Sequence, residues 1–262
     1  MKSMLQKFYS GFQFLNLDVV LGAVGWHLAF LRFPDGRSEP WQVSVFILAL
    51  LIWVIYVLDR ILDTYRGQID TPRHQFHARH EFNLMIGSTA TLLVSLVLVF
   101  FLPKPVLLLG IGLLLAVICY FYIIHRLKKR PKNLKLGFIP MVYGLAVIGT
   151  AWVQLTSLTL SMWLIGAQWF LILVQNMRLF QYFEKESLTA RTPPIVRWIG
   201  VMQAFVHVLL FGGQTTFPAW ISLLLALVSV LYSLLPTLPK ASTSYRRWID
   251  GLLLTGWLAF FF

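Results

Sequence analysis

Long apolar runs separated by short polar breaks dominate the chain, and their length is that of helices crossing a bilayer. A spanning helix needs roughly 20 mostly apolar residues. Runs of this kind predict about nine spans, over 16–33, 41–58, 82–102, 105–124, 136–155, 157–176, 197–212, 218–236 and 249–262. The runs from 197 and 249 are brief, and re-entrant segments share their pattern. Strands do not fit, because the apolar stretches are continuous where barrel strands alternate over roughly ten residues. The expected fold class is therefore all-α, a polytopic membrane protein of about nine transmembrane helices. It forms a single domain over 1–262, with a first half of about 1–135 and a second of about 136–262, and the polar gaps leave no room for a soluble domain.

Composition agrees with this pattern. The chain is 58% hydrophobic and 12% charged, against about 25% charged in ordinary soluble proteins. Charge adds an orientation. With the N-terminus in the cytoplasm, residues 1–15, the loops 59–81, 125–135, 177–196 and 237–248, and Arg197 all lie inside and carry 19 of the 22 Lys and Arg. Only Arg32, Arg37 and Lys104 are left outside, as the positive-inside rule requires. The expected location is an integral membrane protein of the bacterial inner membrane. A net charge of +12 then expresses topology together with attraction to anionic lipid or a phosphorylated substrate. Nucleic acid is not an expected partner, since the charges sit in separate loops without a reader motif. Lys2 and Lys7 precede an apolar stretch, but no small-x-small cleavage site follows, so an uncleaved first helix is expected. Cys119 stands alone in an apolar run and reads as a buried structural thiol.

Two loops are long enough to hold a site. The first runs from Asp59-Arg60-Ile61-Leu62-Asp63 through Thr71-Pro72-Arg73-His74 to His80, and Asp59 and Asp63 share a helix face if the helix reaches them. Such carboxylates at the edge of hydrocarbon either pair with Arg60 or Arg66 or face a polar cavity, forming half of an anion or metal site. The second runs from Asn176-Met177-Arg178 to Glu184-Lys185-Glu186 and on to Thr192-Pro193. Asp63 lies eight residues before Thr71, and Glu184 eight before Thr192, a repeat offset of 121 residues. His74, His77 and His80 recur every three residues and, with Asp63 or Glu81, suggest a zinc or iron site. Steps of three drift by about 60° each around a helix, which favours hydrogen-bonding histidines or donors to a diphosphate. His27, His125 and His207 have no partner pattern and read as structural. No Gly-rich phosphate loop, G-x-S-x-G turn or H-E-x-x-H is present. Apart from Asp18 and His27 the predicted spans are almost free of ionisable groups, which argues against a transporter.

At these residues the chain resembles the UbiA superfamily of intramembrane prenyltransferases. Further matches are Tyr120-Phe121-Tyr122 leading to Lys128-Lys129-Arg130, then Asn133 and Gly137, together with Asn176, Arg178 and the stretch from Thr192 to Gly200. The resemblance covers nearly the whole chain and implies nine helices, in two pseudo-repeated four-helix halves plus one, with two acidic loops on the cytoplasmic side. It implies that Asp59, Asp63 and Glu184 are catalytic, with Asp63 and Glu184 holding Mg²⁺ on the diphosphate of a polyprenyl donor. Arg60, Arg73, His74, Lys128, Lys129, Asn176 and Arg178 would bind that substrate. The isoprenoid tail would lie between helices among some of the 21 Phe and 10 Trp. The acidic loops also depart from the family. Where it carries approximately N-D-x-x-D-x-x-x-D, this chain has Asp59 for the asparagine, Arg60 for the first aspartate and Gly67 for the last, so Asp63 alone is retained. In the second loop Met177 and Phe180 occupy acidic positions. Two functions follow: a polyprenyl transferase with a degenerate metal-diphosphate site, or a non-catalytic membrane protein that binds isoprenoid lipid or assembles a complex.

Overall fold

The computed structural model describes residues 11–36, 42–65, 72–126, 132–184, 194–237 and 241–262. Every regular element among them is helical. Among the described residues ten helices of eight residues or more follow one another: α1 Leu17–Leu31, α2 Val43–Tyr65, α3 Pro72–Arg79, α4 Glu81–Val99, α5 Lys104–Arg126, α6 Lys132–Gly144, α7 Leu160–Glu184, α8 Pro194–Phe211, α9 Phe217–Leu234 and α10 Ala241–Leu253. A π-helical turn, Leu145–Gly149, extends α6, and a 3₁₀ segment, Leu254–Phe261, extends α10.

Among the described residues six helices are long and apolar enough to cross a membrane: α2, α4, α5, α7, α8 and α9. Apolar helices also stand at the other three predicted spans, over Leu17–Leu31, Gly137–Trp152 and Trp248–Phe261, but each is shorter. The reasons are local. The 15 residues of α1 rise about 22 Å at 1.5 Å per residue, less than the ~30 Å of a hydrocarbon core. Pro140 lies inside α6, and the π turn follows it. α10 changes to 3₁₀ geometry at Leu254. The outer surface is what a bilayer demands. Leu93 and Val97 of α4 and Leu108 and Leu115 of α5 are all exposed, an arrangement that costs heavily in water and nothing in lipid.

The core forms where α1 threads between the later helices. Trp26 and Trp169 are wholly buried with ring centroids 5.3 Å apart, and Phe30 meets Trp169 edge-on at 5.7 Å. The C-terminal segment closes against α1 through small residues. A Cβ at Gly256 would lie 2.6 Å from the Trp26 backbone nitrogen, and one at Gly22 2.9 Å from Leu253 Cβ. Trp257 Nε1 donates to the Leu21 carbonyl at 3.0 Å. At the end of α1, the Arg32 guanidinium lies over the Phe217 and Phe260 rings and donates to the Ala259 carbonyl.

Buried polar side chains are tied into this core. His27 Nδ1 lies 2.7 Å from the Val147 carbonyl of the π turn and 3.0 Å from Thr150 Oγ1. A carbonyl only accepts, so Nδ1 carries a proton. Gln175 donates to the carbonyls of Val196 and Ser229 and accepts from Ser229 Oγ, joining α7, α8 and α9. His207 meets Ser222 Oγ at 3.2 Å. The structural expectation for His27 and His207 is met in these contacts, whereas the side chain of His125 lies outside what is described. Cys119 corrects its expectation, because it is exposed on α5. An apolar run cannot distinguish a face turned to lipid from one turned to protein.

Candidate functional site

Between α2, α5, α6, α7 and α10 lies a cavity of about 280 Å³. Its volume is near the lower end of small-molecule sites. Most of the wall is apolar: Ile52 and Ile55 of α2, Val117 and Phe121 of α5, Phe138 and Val142 of α6, Leu173 of α7 and Leu253 of α10. Polar groups gather on part of it. They are Tyr56, Asp59 and Arg60 from α2, Tyr143 from α6, Asn176 and Gln181 from α7, and Asp250 from α10. The cavity is thus amphipathic, and its acidic and amide residues come from three helices, α2, α7 and α10, that are far apart in sequence.

α2 carries the first group because its apolar pattern runs on past Val57 without a helix breaker to Tyr65. The helical period then turns Tyr56, Asp59 and Arg60 towards the cavity, while Asp63 goes to a buried position beneath. Asp63 is 2% exposed, and its Oδ2 stands 3.7 Å from Arg60 Nη1. The same Nη1 donates to His74 Nε2 at 3.2 Å. Arg60 therefore reaches the cavity with its charge already shared. The opposite helix, α7, supplies Asn176, whose Nδ2 donates to Tyr232 Oη at 3.1 Å. Tyr232 in turn donates to the Ile249 carbonyl at 2.9 Å, which fixes the stretch of α10 that carries Asp250.

Of the predicted site residues, Asp59, Arg60 and Asn176 come together in the cavity wall. Asp63 and His74 are joined to it through Arg60 and are not among the lining residues. Arg178 also lies outside the lining, and its Nε is buried without a hydrogen-bond partner among the described residues. Arg73 and Glu184 are placed by backbone alone, in α3 and at the last residue of α7. Lys128, Lys129, Thr71, Thr192 and Pro193 fall outside the described residues, so the repeated Thr-Pro spacing has no structural counterpart to report.

Asp250, Tyr56, Tyr143 and Gln181 were not singled out from sequence. For Asp250 a signal existed: it is the one acid after Glu186, at the head of an apolar run, and a carboxylate at such a place is costly unless it has a task. The tyrosines carried none. Of the two expected metal ligands, Asp63 and Glu184, the side chain of Glu184 lies outside what is described. No group of three or more His, Cys, Asp or Glu side chains there could hold a metal ion, the His74, His77 and His80 series included. Asp59 and Asp250 bring carboxylates to the cavity, and Asp63, one of the two residues expected to bind Mg²⁺, is paired with Arg60.

Comparison of the chain with protein-family models, curated proteins and solved structures returns no match.

Proposed function

We propose that this is a UbiA-like integral membrane protein whose cavity takes up an isoprenoid-type lipid, the chain against the apolar wall and the head at the polar patch. The observation that carries this reading is the division of one cavity into an aliphatic and aromatic wall and a patch of Tyr56, Asp59, Arg60, Asn176 and Asp250. A flexible polyprenyl chain gains from such burial roughly 0.8 kcal/mol per CH₂, and the patch fixes its direction. In this reading the C-terminal ends of α2 and α7, next to the basic loops, face the cytoplasm, all nine apolar segments lie in the bilayer, and the membrane is the bacterial inner membrane. Binding of tritiated geranylgeraniol and geranylgeranyl diphosphate to purified protein in lipid nanodiscs tests it. Saturable binding of at least one probe is expected, falling more than tenfold in Ala146→Phe, because Ala146 lines the cavity and a ring there fills it. Binding that is the same in wild type and Ala146→Phe would place the lipid elsewhere and end the reading.

A second reading, prenyl transfer from a polyprenyl diphosphate to a small acceptor, is favoured by the convergence of Asp59, Arg60 and Asn176 on one cavity. These are three of the residues that the family resemblance marks. Because Asp63 is paired with Arg60 and no three-donor metal group forms among the described residues, transfer is expected to depend only weakly on Mg²⁺. Release of diphosphate from geranylgeranyl diphosphate, with and without Mg²⁺ and over a panel of aromatic acceptors, is the test. No release under any condition would leave lipid binding alone.

A further inference from the structure

The cavity has a direction, which the packing around α6 fixes. A Cβ at Gly144 would meet Phe170 and Leu173 of α7, and one at Gly166 of α7 would meet the Trp152 ring. Residue numbers rise on one helix as they fall on the other, so α6 with its extension runs antiparallel to α7. Tyr120 of α5 stacks on Phe138 of α6 with ring centroids 4.8 Å apart, and a Cβ at Gly149 would lie 3.1 Å from Leu109 Cδ2. By the same rule α5 runs antiparallel to α6. Phe138 thus stands towards the end of α7 that carries Asn176 and Gln181, and Ala146 closes the cavity at the opposite end, away from these polar groups.

Beyond Ala146 lies a second space. A groove of about 370 Å³ begins at Leu145 and Gly149 on the π turn and is walled by Leu109 of α5 and by Trp152, Leu155 and Leu158. Leu145 lines the groove and the next residue, Ala146, lines the cavity, so the two spaces are neighbours on one turn of helix. α5 borders both, with Val117 in the cavity and Leu109 in the groove. Between them Leu113 and Ala116, at helical spacing on the same face, are only half-buried. The far wall is firm, because the Trp152 ring rests over Gly166 and packs on Trp163 with centroids 5.0 Å apart.

Size decides how the two spaces are used. The cavity, at about 280 Å³, is smaller than the roughly 300–1,000 Å³ of sites for drug-sized ligands. A polyprenyl chain with its head at the polar patch outgrows it, and the chain points towards Ala146. From Phe121 in the cavity to Leu109 in the groove, α5 rises about 18 Å at 1.5 Å per residue. We infer that the groove is the distal compartment of the lipid site: the chain passes Ala146, crosses the π turn and ends against Trp152, Leu155 and Leu158, so that the protein selects lipids by chain length. The assignment rests on the reading of the cavity as an isoprenoid site and adds the length it prefers, geranylgeraniol over the shorter farnesol.

The test uses full-length protein in nanodiscs and these two alcohols, which differ by one isoprene unit. Val153 and Ser157 line the groove and are exposed, so Val153→Trp and Ser157→Trp fill it without disturbing the core. Each variant is expected to bind geranylgeraniol about tenfold more weakly, the scale of overpacking a filled site, and to bind farnesol as wild type does. Geranylgeraniol with a diazirine at the far end of its chain should label Trp152, Leu155 or Leu158, and unlabelled alcohol should displace that label. Unchanged geranylgeraniol binding in both variants overturns the inference, and so does an equal loss of both alcohols. Displaceable end labels confined to α2 or α4 also overturn it, because the chain then leaves sideways into the bilayer. If neither alcohol binds wild type, the lipid site itself fails, and the groove loses its role with it.

Discussion

At the scale of single residues, the carboxylate of Asp250 lines the cavity where sequence reasoning expects that of Asp63. Asp63 is one helical turn below the cavity, 2% exposed and paired with Arg60, while Asp250 lines the wall. The two differ in what their loss should do. Asp63→Asn removes the partner charge of Arg60 without touching the cavity surface, so geranylgeraniol binding should be unchanged. If transfer occurs, its rate should fall by about two orders of magnitude, the scale of losing one electrostatic stabiliser. Diphosphate release and alcohol binding measured on the same preparation check both. Release unaffected in both Asp63→Asn and Glu184→Gln would remove the transfer reading and leave lipid binding standing. Asp59, Arg60 and Asn176 were legible from sequence because they stand at or just past the ends of the apolar runs 41–58 and 157–176, beside basic loops. Tyr143 was not, because it joins the other lining residues only once α6 is folded against the cavity, a placement without a periodic signal.

Among the elements, the joint between α1 and the C-terminal segment brings backbone against backbone. Gly256 lies against the backbone of Trp26 and Gly25, whereas a Cβ at Gly251 would meet nothing within 4 Å. Backbone cannot give way as a side chain can, so Gly256→Ala must separate the segment from α1. It should cost about 1–3 kcal/mol, the usual range for overpacking. Gly251→Ala should be neutral or slightly stabilising, since alanine is the better helix former. Thermal unfolding in detergent, followed by tryptophan fluorescence, separates the two, and equal effects would mean that the joint is loose. All nine apolar segments were legible as runs of hydropathy. Their shortness in three cases was not, because it comes from the Pro140 and π-turn interruption of α6, the 15-residue limit of α1 and the 3₁₀ change after α10. Hydropathy measures how apolar a stretch is and carries no record of how its backbone is wound.

For the whole molecule, the distribution of apolar surface separates two kinds of contact with lipid. Leu93 and Val97 on α4 face outward, as residues against bulk bilayer do, whereas Tyr120, Phe121, Phe138 and Val142 line the cavity inside. A protein that merely sits in the membrane has no reason to hold one lipid molecule among the latter residues in a saturable way. The most direct measurement is therefore photolabelling in nanodiscs with a geranylgeraniol analogue bearing a diazirine in its chain, followed by peptide mapping. Adducts on Tyr120, Phe121, Phe138 or Val142 that unlabelled geranylgeraniol displaces are predicted. Adducts confined to the outer face of α4 and α5, at Leu93, Val97 or Leu108, and undiminished by competitor, would contradict the account.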